Sequence, residues 1–186
     1  MPEGSVGPGS GRDQRAGPIF CSPVLRYAVQ RAITGYHHDD AGDLVAELDC
    51  GHGQHVRHQP PLFLRPWTTT AEGRASMLGT HLGCVRCDRF EMPEGFVAYK
   101  HTATFDEGTL PAGLRAAHST RRGVWGLIHV LEGRLRYCIE GEGGREVVLE
   151  PGTPGVVVPE LAHHVEPAEH VRFFVEFWRA PGPSLG

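Results

Sequence analysis

Two short stretches, Cys50-Gly51-His52-Gly53-Gln54-His55-Val56-Arg57-His58 and Cys84-Val85-Arg86-Cys87, gather the side chains that bind transition metals. Zn²⁺ takes four thiolate or imidazole ligands in a tetrahedron, and a Cys-x-x-Cys turn sets two sulfurs on one side of the ion. The Cys50 turn supplies a third sulfur and an imidazole, and Gly51 and Gly53 permit the tight backbone this requires. Cys50, Cys84 and Cys87 are thus expected zinc ligands. The fourth is one of His52, His55 and His58, with His52 preferred because it shares the turn of Cys50. The competing reading is a Cys84/Cys87 thiol pair with the histidines in a solvated loop. His37 and His38, beside Asp39 and Asp40, read as a polar hairpin tip. Cys21 and Cys138 have no partner in sequence, and Cys138 fits a strand as a small core or neutral outward residue.

A second constellation joins His118-Ser119-Thr120-Arg121-Arg122-Gly123-Val124-Trp125 to Pro159-Glu160-Leu161-Ala162-His163-His164-Val165-Glu166. In a small barrel, residues far apart in sequence converge at the open mouth, where histidines suit a divalent metal of unspecified identity. The expected set is His118, His163 and Glu166, with His164 as the alternative to His163. Along a regular strand His163 and Glu166 point to opposite faces, so both reach one ion only if the strand starts late or bulges. His129 shares a face with Trp125, Leu127 and Leu131 and reads as a core or rim residue. Glu176 is a ligand, a partner for arginine, or outward-facing. No catalytic residue and no organic-cofactor motif is assigned.

The elements that must position these groups are short and mostly strands. In 186 residues, 25 Gly and 15 Pro argue against long helices. Residues 1–30 read as a disordered or irregular tail, rich in Gly, Ser and Pro over the first part. From Ala32, AITGYHHDDAGDLVAELDC predicts two strands joined by a turn over residues 39–43. TTTAEGRASMLGTHL predicts one short helix with a Thr cap. Beyond Phe96, strand-like runs recur every 8 to 12 residues, separated by Glu132-Gly133, residues 141–144, Pro151-Gly152 and Pro167. The run VRFFVEFW is apolar on both faces apart from Glu176, as a strand covered on both sides would be. The expected fold is mainly β: a small zinc-ribbon-like Cys/His domain over 31–92, then a cupin-like jelly-roll barrel over 96–182. A domain of about 60 residues buries little apolar surface, so a metal staple has a physical purpose there.

The residues of the second unit carry a resemblance. Leu110-Pro111-Ala112-Gly113-Leu114, His118-x-Thr-x-x-Gly-Val-Trp, Val130-Leu131-Glu132-Gly133-Arg134-Leu135-x-Tyr137, Pro159 ahead of His163-x-Val165-Glu166, and Phe174-x-Glu176-Phe177 resemble the cupin-like domain of the YeaR and tellurite-resistance TehB amino-terminal family. The resemblance implies metal-ligand roles for His118 and His163, and a stress response to tellurite or nitrosative conditions. Gly35-Tyr36-His37-His38-Asp39 and the run from Cys50 to Pro61 resemble a bacterial domain of unknown function.

The expected function is a metal-binding stress-response protein with structural zinc in the first unit and a metal or small-molecule site in the barrel. The alternative is a metal-dependent dioxygenase or isomerase using His118 and His163. The absence of a His-x-His pair in the barrel weighs against it. A lesser alternative is a zinc-ribbon nucleic-acid binder using Arg57, Arg65, Arg74, Arg86 and Arg89. The formal charge of −4 makes a general nucleic-acid field unlikely. A methyltransferase is not expected, since no Gly-rich cofactor loop precedes Gly186. No apolar run reaches membrane length and no signal peptide opens the chain, so a cytoplasmic protein is expected, with homodimerisation open.

Overall fold

The computed structural model describes residues 28–141 and 144–182; Cys21 and the expected tail, apart from residues 28–30, lie outside them. The fold is mainly β, as the turn-rich sequence predicts. Strands β1 (Gln30–His38) and β2 (Leu44–Leu48) form the expected antiparallel hairpin, with Tyr36 opposite Ala46 and His38 opposite Leu44. Its turn is built by Asp39, whose Oδ1 accepts from the backbone N–H groups of Ala41 and Asp43. Strand β3 (Gly53–His55) adds beside β2, and β4 (His81–Gly83) beside β1, giving the order β3-β2-β1-β4.

The expected helix forms as α1 (Ala71–Ser76), where the Thr70 hydroxyl accepts from the Gly73 N–H. It stops short of His81-Leu82-Gly83, which pair with Gln30–Ala32 instead. Three residues are too few to show strand alternation, so only the partner strand settles their conformation. Helix α2 (Val85–Asp88) is a single turn capped by Cys84.

The described residues from Val97 onward fold as two facing antiparallel sheets. One has the order β5 (Val97–His101), β11 (Arg172–Arg179), β6 (Trp125–Glu132), β9 (Gly155–Val157). The other has β10 (His163–Pro167), β7 (Leu135–Ile139), β8 (Arg145–Leu149). A short helix, α3 (Ala112–Arg115), precedes β6. The chain crosses between the sheets after β6, and Gly133 makes that corner at φ +74°, where a Cβ would lie 2.8 Å from the His170 carbonyl oxygen. Ile128, Val130, Val157 and Phe173 of the first sheet meet Leu135, Tyr137, Leu149 and Val165 of the second in one buried core.

Strand alternation sends the other face of the first sheet elsewhere. Trp125, Val158 and Trp178 pack with Ile33, Ala46, Leu48, Val56 and the three cysteines of the first unit in a second core. Of β11, Trp178 reaches this second core while Phe174 and Glu176 on the same face are half-buried, so the doubly apolar run is covered on its outer face only in part. Arg31, 4% exposed, reinforces the junction: its guanidinium donates to the Pro159 carbonyl at 2.6 Å and pairs with Glu160 at 3.3 Å.

Candidate metal centre and barrel cavity

The turn after β2 and the α2 turn bring Cys50, His52, Cys84 and Cys87 together, all four buried, with ligating atoms within 4.8 Å of one another. Gly51 bends the first turn at φ +90°, and a Cβ there would sit 2.5 Å from the Phe96 ring. This bend turns the His52 ring inward: its Nδ1 lies 3.5 Å from Cys50 Sγ, 3.4 Å from Cys84 Sγ and 3.6 Å from Cys87 Sγ. On the other turn, Cys84 Sγ accepts from the Cys87 N–H at 3.5 Å, which fixes the sulfur at the cap of α2. His52 Nε2 is buried without a hydrogen-bond partner among the described residues, and the ring packs T-shaped against Trp125 at 5.3 Å.

Three thiols this close compete for protons. Hydrogen bonding to Cys50 and Cys87 holds Cys84 far below the thiol range, while the contact with Cys84 pushes Cys50 up to about 11. Hydrogen bonds to Cys50 and Cys84 push Cys87 up as well. A cation among them would let all three ionise, which is the electrostatic condition for a metal site. The cluster can hold a metal ion.

The other two candidates for the fourth ligand are placed apart from it. In β3 the side chain of His55 faces the hairpin turn, where Nε2 meets Asp39 Oδ2 at 2.7 Å. His58 Nδ1 accepts from the Arg65 N–H. His37 Nδ1 meets Glu47 at 3.0 Å at the edge of the hairpin. Several arginines of the first unit already have partners: Arg57 pairs with Asp43, Arg86 with Glu91 and Glu94, Arg89 with Glu91, and Arg74 donates to the Thr68 carbonyl.

In the barrel, His118 and His163 face each other through a two-way backbone bridge of 2.9 and 2.8 Å, with ring centroids 4.3 Å apart. Each ring's Nδ1 donates to a carbonyl, His118 to Ala116 and His163 to Leu161. A carbonyl only accepts, so in the neutral rings Nε2 carries the lone pair. The structure does not bring Glu166 to them. Strand β10 keeps a regular register on β7, with His163 opposite Ile139 and Glu166 opposite Arg136, so Glu166 lies on the outer face. There it binds Arg136 at 2.6 Å and joins Cys138 and His164, whose Nδ1 meets Glu140 at 2.6 Å. No late start or bulge in β10 turns it inward. His129 stacks on Phe174, and Glu176 accepts from the Trp178 indole at 2.9 Å.

Both barrel histidines line a cavity of about 480 Å³ between the sheets. Burial is the main cause that pulls His163 down to about 4, with His118 and His164 adding to it. Above pH about 6.5 the ring is neutral folded and unfolded, and the shift costs nothing. As pH falls toward 4, the unfolded chain takes up a proton that the folded one refuses. Stability therefore declines across that window, by up to about 3 kcal/mol for this group. Urea titrations at pH 7.5 and 4.5 check this: His163→Asn should lose markedly less stability between the two than the parent chain.

The molecule is thus a mainly β protein in which a buried three-cysteine, one-histidine cluster adjoins a double-sheet barrel with a cavity. Residues 34–91 match the family model described as a protein of unknown function (DUF3565), and residues 100–175 match the model of the TehB-like domain. Both resemblances read from the motifs are borne out. A crystal structure of a protein from E. coli strain K12 is 26% identical, with a TM-score of 0.46, covering 50% of this chain and 98% of that one. TehB from Haemophilus influenzae is 25% identical at a TM-score of 0.44, over 47% of this chain and 32% of that one. A cupin protein from Bacteroides fragilis is 20% identical at a TM-score of 0.29, over 38% of this chain and 57% of that one. No curated protein matches the chain. Among the described residues, no helix is long and apolar enough to cross a membrane.

Proposed function

We propose that the chain is a metal-binding stress-response protein of the tellurite-resistance type, in which Cys50, His52, Cys84 and Cys87 hold a structural zinc ion and the barrel receives a small ligand. The geometry of the cluster carries the zinc reading. Zinc–sulfur bonds of about 2.3 Å and a zinc–nitrogen bond of about 2.0 Å at tetrahedral angles require S···S edges of about 3.8 Å and S···N edges of about 3.5 Å. The Cys50–Cys84 sulfurs are 3.9 Å apart and the three S···N distances run from 3.4 to 3.6 Å. Four protein ligands leave no open position, which suits a structural rather than a catalytic ion. A cytoplasmic setting, where thiols stay reduced, suits three thiolate ligands. The stress-response part is supported by the TehB-like match.

Elemental analysis of the full chain tests it, with one zinc per chain expected and none in His52→Ala. Replacement by cobalt(II) should give the thiolate charge-transfer bands of a tetrahedral site. Protein purified under reducing conditions with no bound metal would refute the reading and favour the thiol pair.

A further inference from the structure

The cavity between the sheets has one kind of charge around it. Lys100, the sole lysine of the chain, and Arg121 line it together with His118 and His163, and no Asp or Glu is among its lining residues. Most arginines named so far are held by a carboxylate, yet among the described residues neither Lys100 nor Arg121 has an ion pair. Both are exposed at the rim, placed there by separate elements: Lys100 by β5, opposite Phe177 of β11, and Arg121 by the loop before β6. Two unneutralised cations around a concavity with low-dielectric walls focus a positive potential into it.

The floor is of the opposite character. Ile128, Val165 and Phe173 are buried and line it, and the volume falls within the range of ordinary small-molecule sites. Set into this floor is His163, 3% exposed, whose Nδ1 is committed to Leu161. Among the described residues its Nε2 has no hydrogen-bond partner, so this nitrogen on the cavity wall is free to bond a ligand or water. A metal is poorly served here: among the described residues no third imidazole, thiolate or carboxylate gathers with His118 and His163.

We propose that the cavity binds a small organic anion, its carboxylate held by Lys100 and Arg121 and its apolar body laid on the floor of Ile128, Val165 and Phe173. The inference deepens the small-ligand reading of the barrel and is independent of the zinc reading. An inorganic oxyanion would use the rim and leave the apolar floor empty. A neutral compound would use the floor and leave two cations unpaired.

Benzoate, benzamide and inorganic phosphate are the probes, titrated calorimetrically into the full chain as purified under reducing conditions at low salt. Benzoate should bind, and benzamide about tenfold or more weaker, as expected for losing one charge-assisted contact. Lys100→Gln and Arg121→Gln should each weaken benzoate by about tenfold on the same basis. Because both side chains are exposed, their melting temperatures should match the parent's, so a lost affinity is not a lost fold. Benzamide binding as tightly as benzoate, or phosphate doing so, would overturn the assigned class while keeping the cavity as a ligand site. Unchanged affinity in both variants would overturn the role of the rim. Binding by none of the three would overturn the ligand-site reading itself.

Discussion

Stripped of the proposed zinc by a chelator, the chain is expected to lose at least about 4 kcal/mol of stability toward urea, and Cys87→Ser should lose a similar amount without chelator. The size follows from where the cluster sits. Cys50, Cys84 and Cys87 are at most 1% exposed, and they are part of the core that joins β1 and β2 to Trp125 and Val158. Without the ion, three sulfurs and a ring nitrogen lie buried with too few hydrogen bonds to share, and each poorly satisfied group costs about 1–3 kcal/mol. Since both perturbations remove one object, chelator should add little to Cys87→Ser; an additive loss would place the metal elsewhere. His55→Ala is the control, because His55 is exposed and, among the described residues, its side chain hydrogen-bonds only to Asp39, and it should change stability by less than about 0.5 kcal/mol.

That control marks the limit of what spacing alone can settle. That the three sulfurs gather was legible from type and spacing, since the Cys-x-His turn upstream adds to a Cys-x-x-Cys that is ambiguous alone. The choice among His52, His55 and His58 rests on the positive φ of Gly51 and on the direction of β3, which the sequence expresses only as two glycines. Glu166 shows the converse. The alternation that would separate it from His163 was visible, and the regular pairing of β10 with β7 applies that rule without exception. The strands of the barrel were legible because turn residues punctuate them. The cations at the cavity rim were not: every residue of β5 is exposed, so no periodicity singles out Lys100, and Arg121 lies in a loop. A sole lysine in an arginine-rich chain was the one available cue. The packing of the first unit against the barrel was equally hidden, because the contact of Arg31 with Pro159 spans 128 residues and no local pattern encodes it.

Trp125 is where that packing concentrates, and Trp125→Ala is expected to destabilise the whole chain by about 4 kcal/mol, the usual range for truncating a buried aromatic. The residue is fully buried, its indole N–H donates to the Cys50 carbonyl at 2.8 Å, and its ring packs on His52. It begins β6, whose next inward residues, Gly126 and Ile128, pair with Val157 and Gly155 in the barrel sheet. One side chain thus ties the backbone of a turn of the Cys/His cluster to the strand that lines the cavity. Two effects should appear together in the variant: a fall in the urea midpoint and a faster release of zinc to a chromogenic chelator. Trp125→Phe separates them, since it keeps most of the apolar contact and removes only the donor to Cys50, leaving that carbonyl unsatisfied at a cost of about 1–3 kcal/mol. Leu131→Ala, on the same face of β6 but 44% exposed, should be close to neutral. If Trp125→Ala lowers the barrel's stability and leaves zinc release unchanged, the two units are adjacent but energetically separate. If zinc release rises in step, the metal turn and the barrel fold as one cooperative body, and the shared core makes that the expected result.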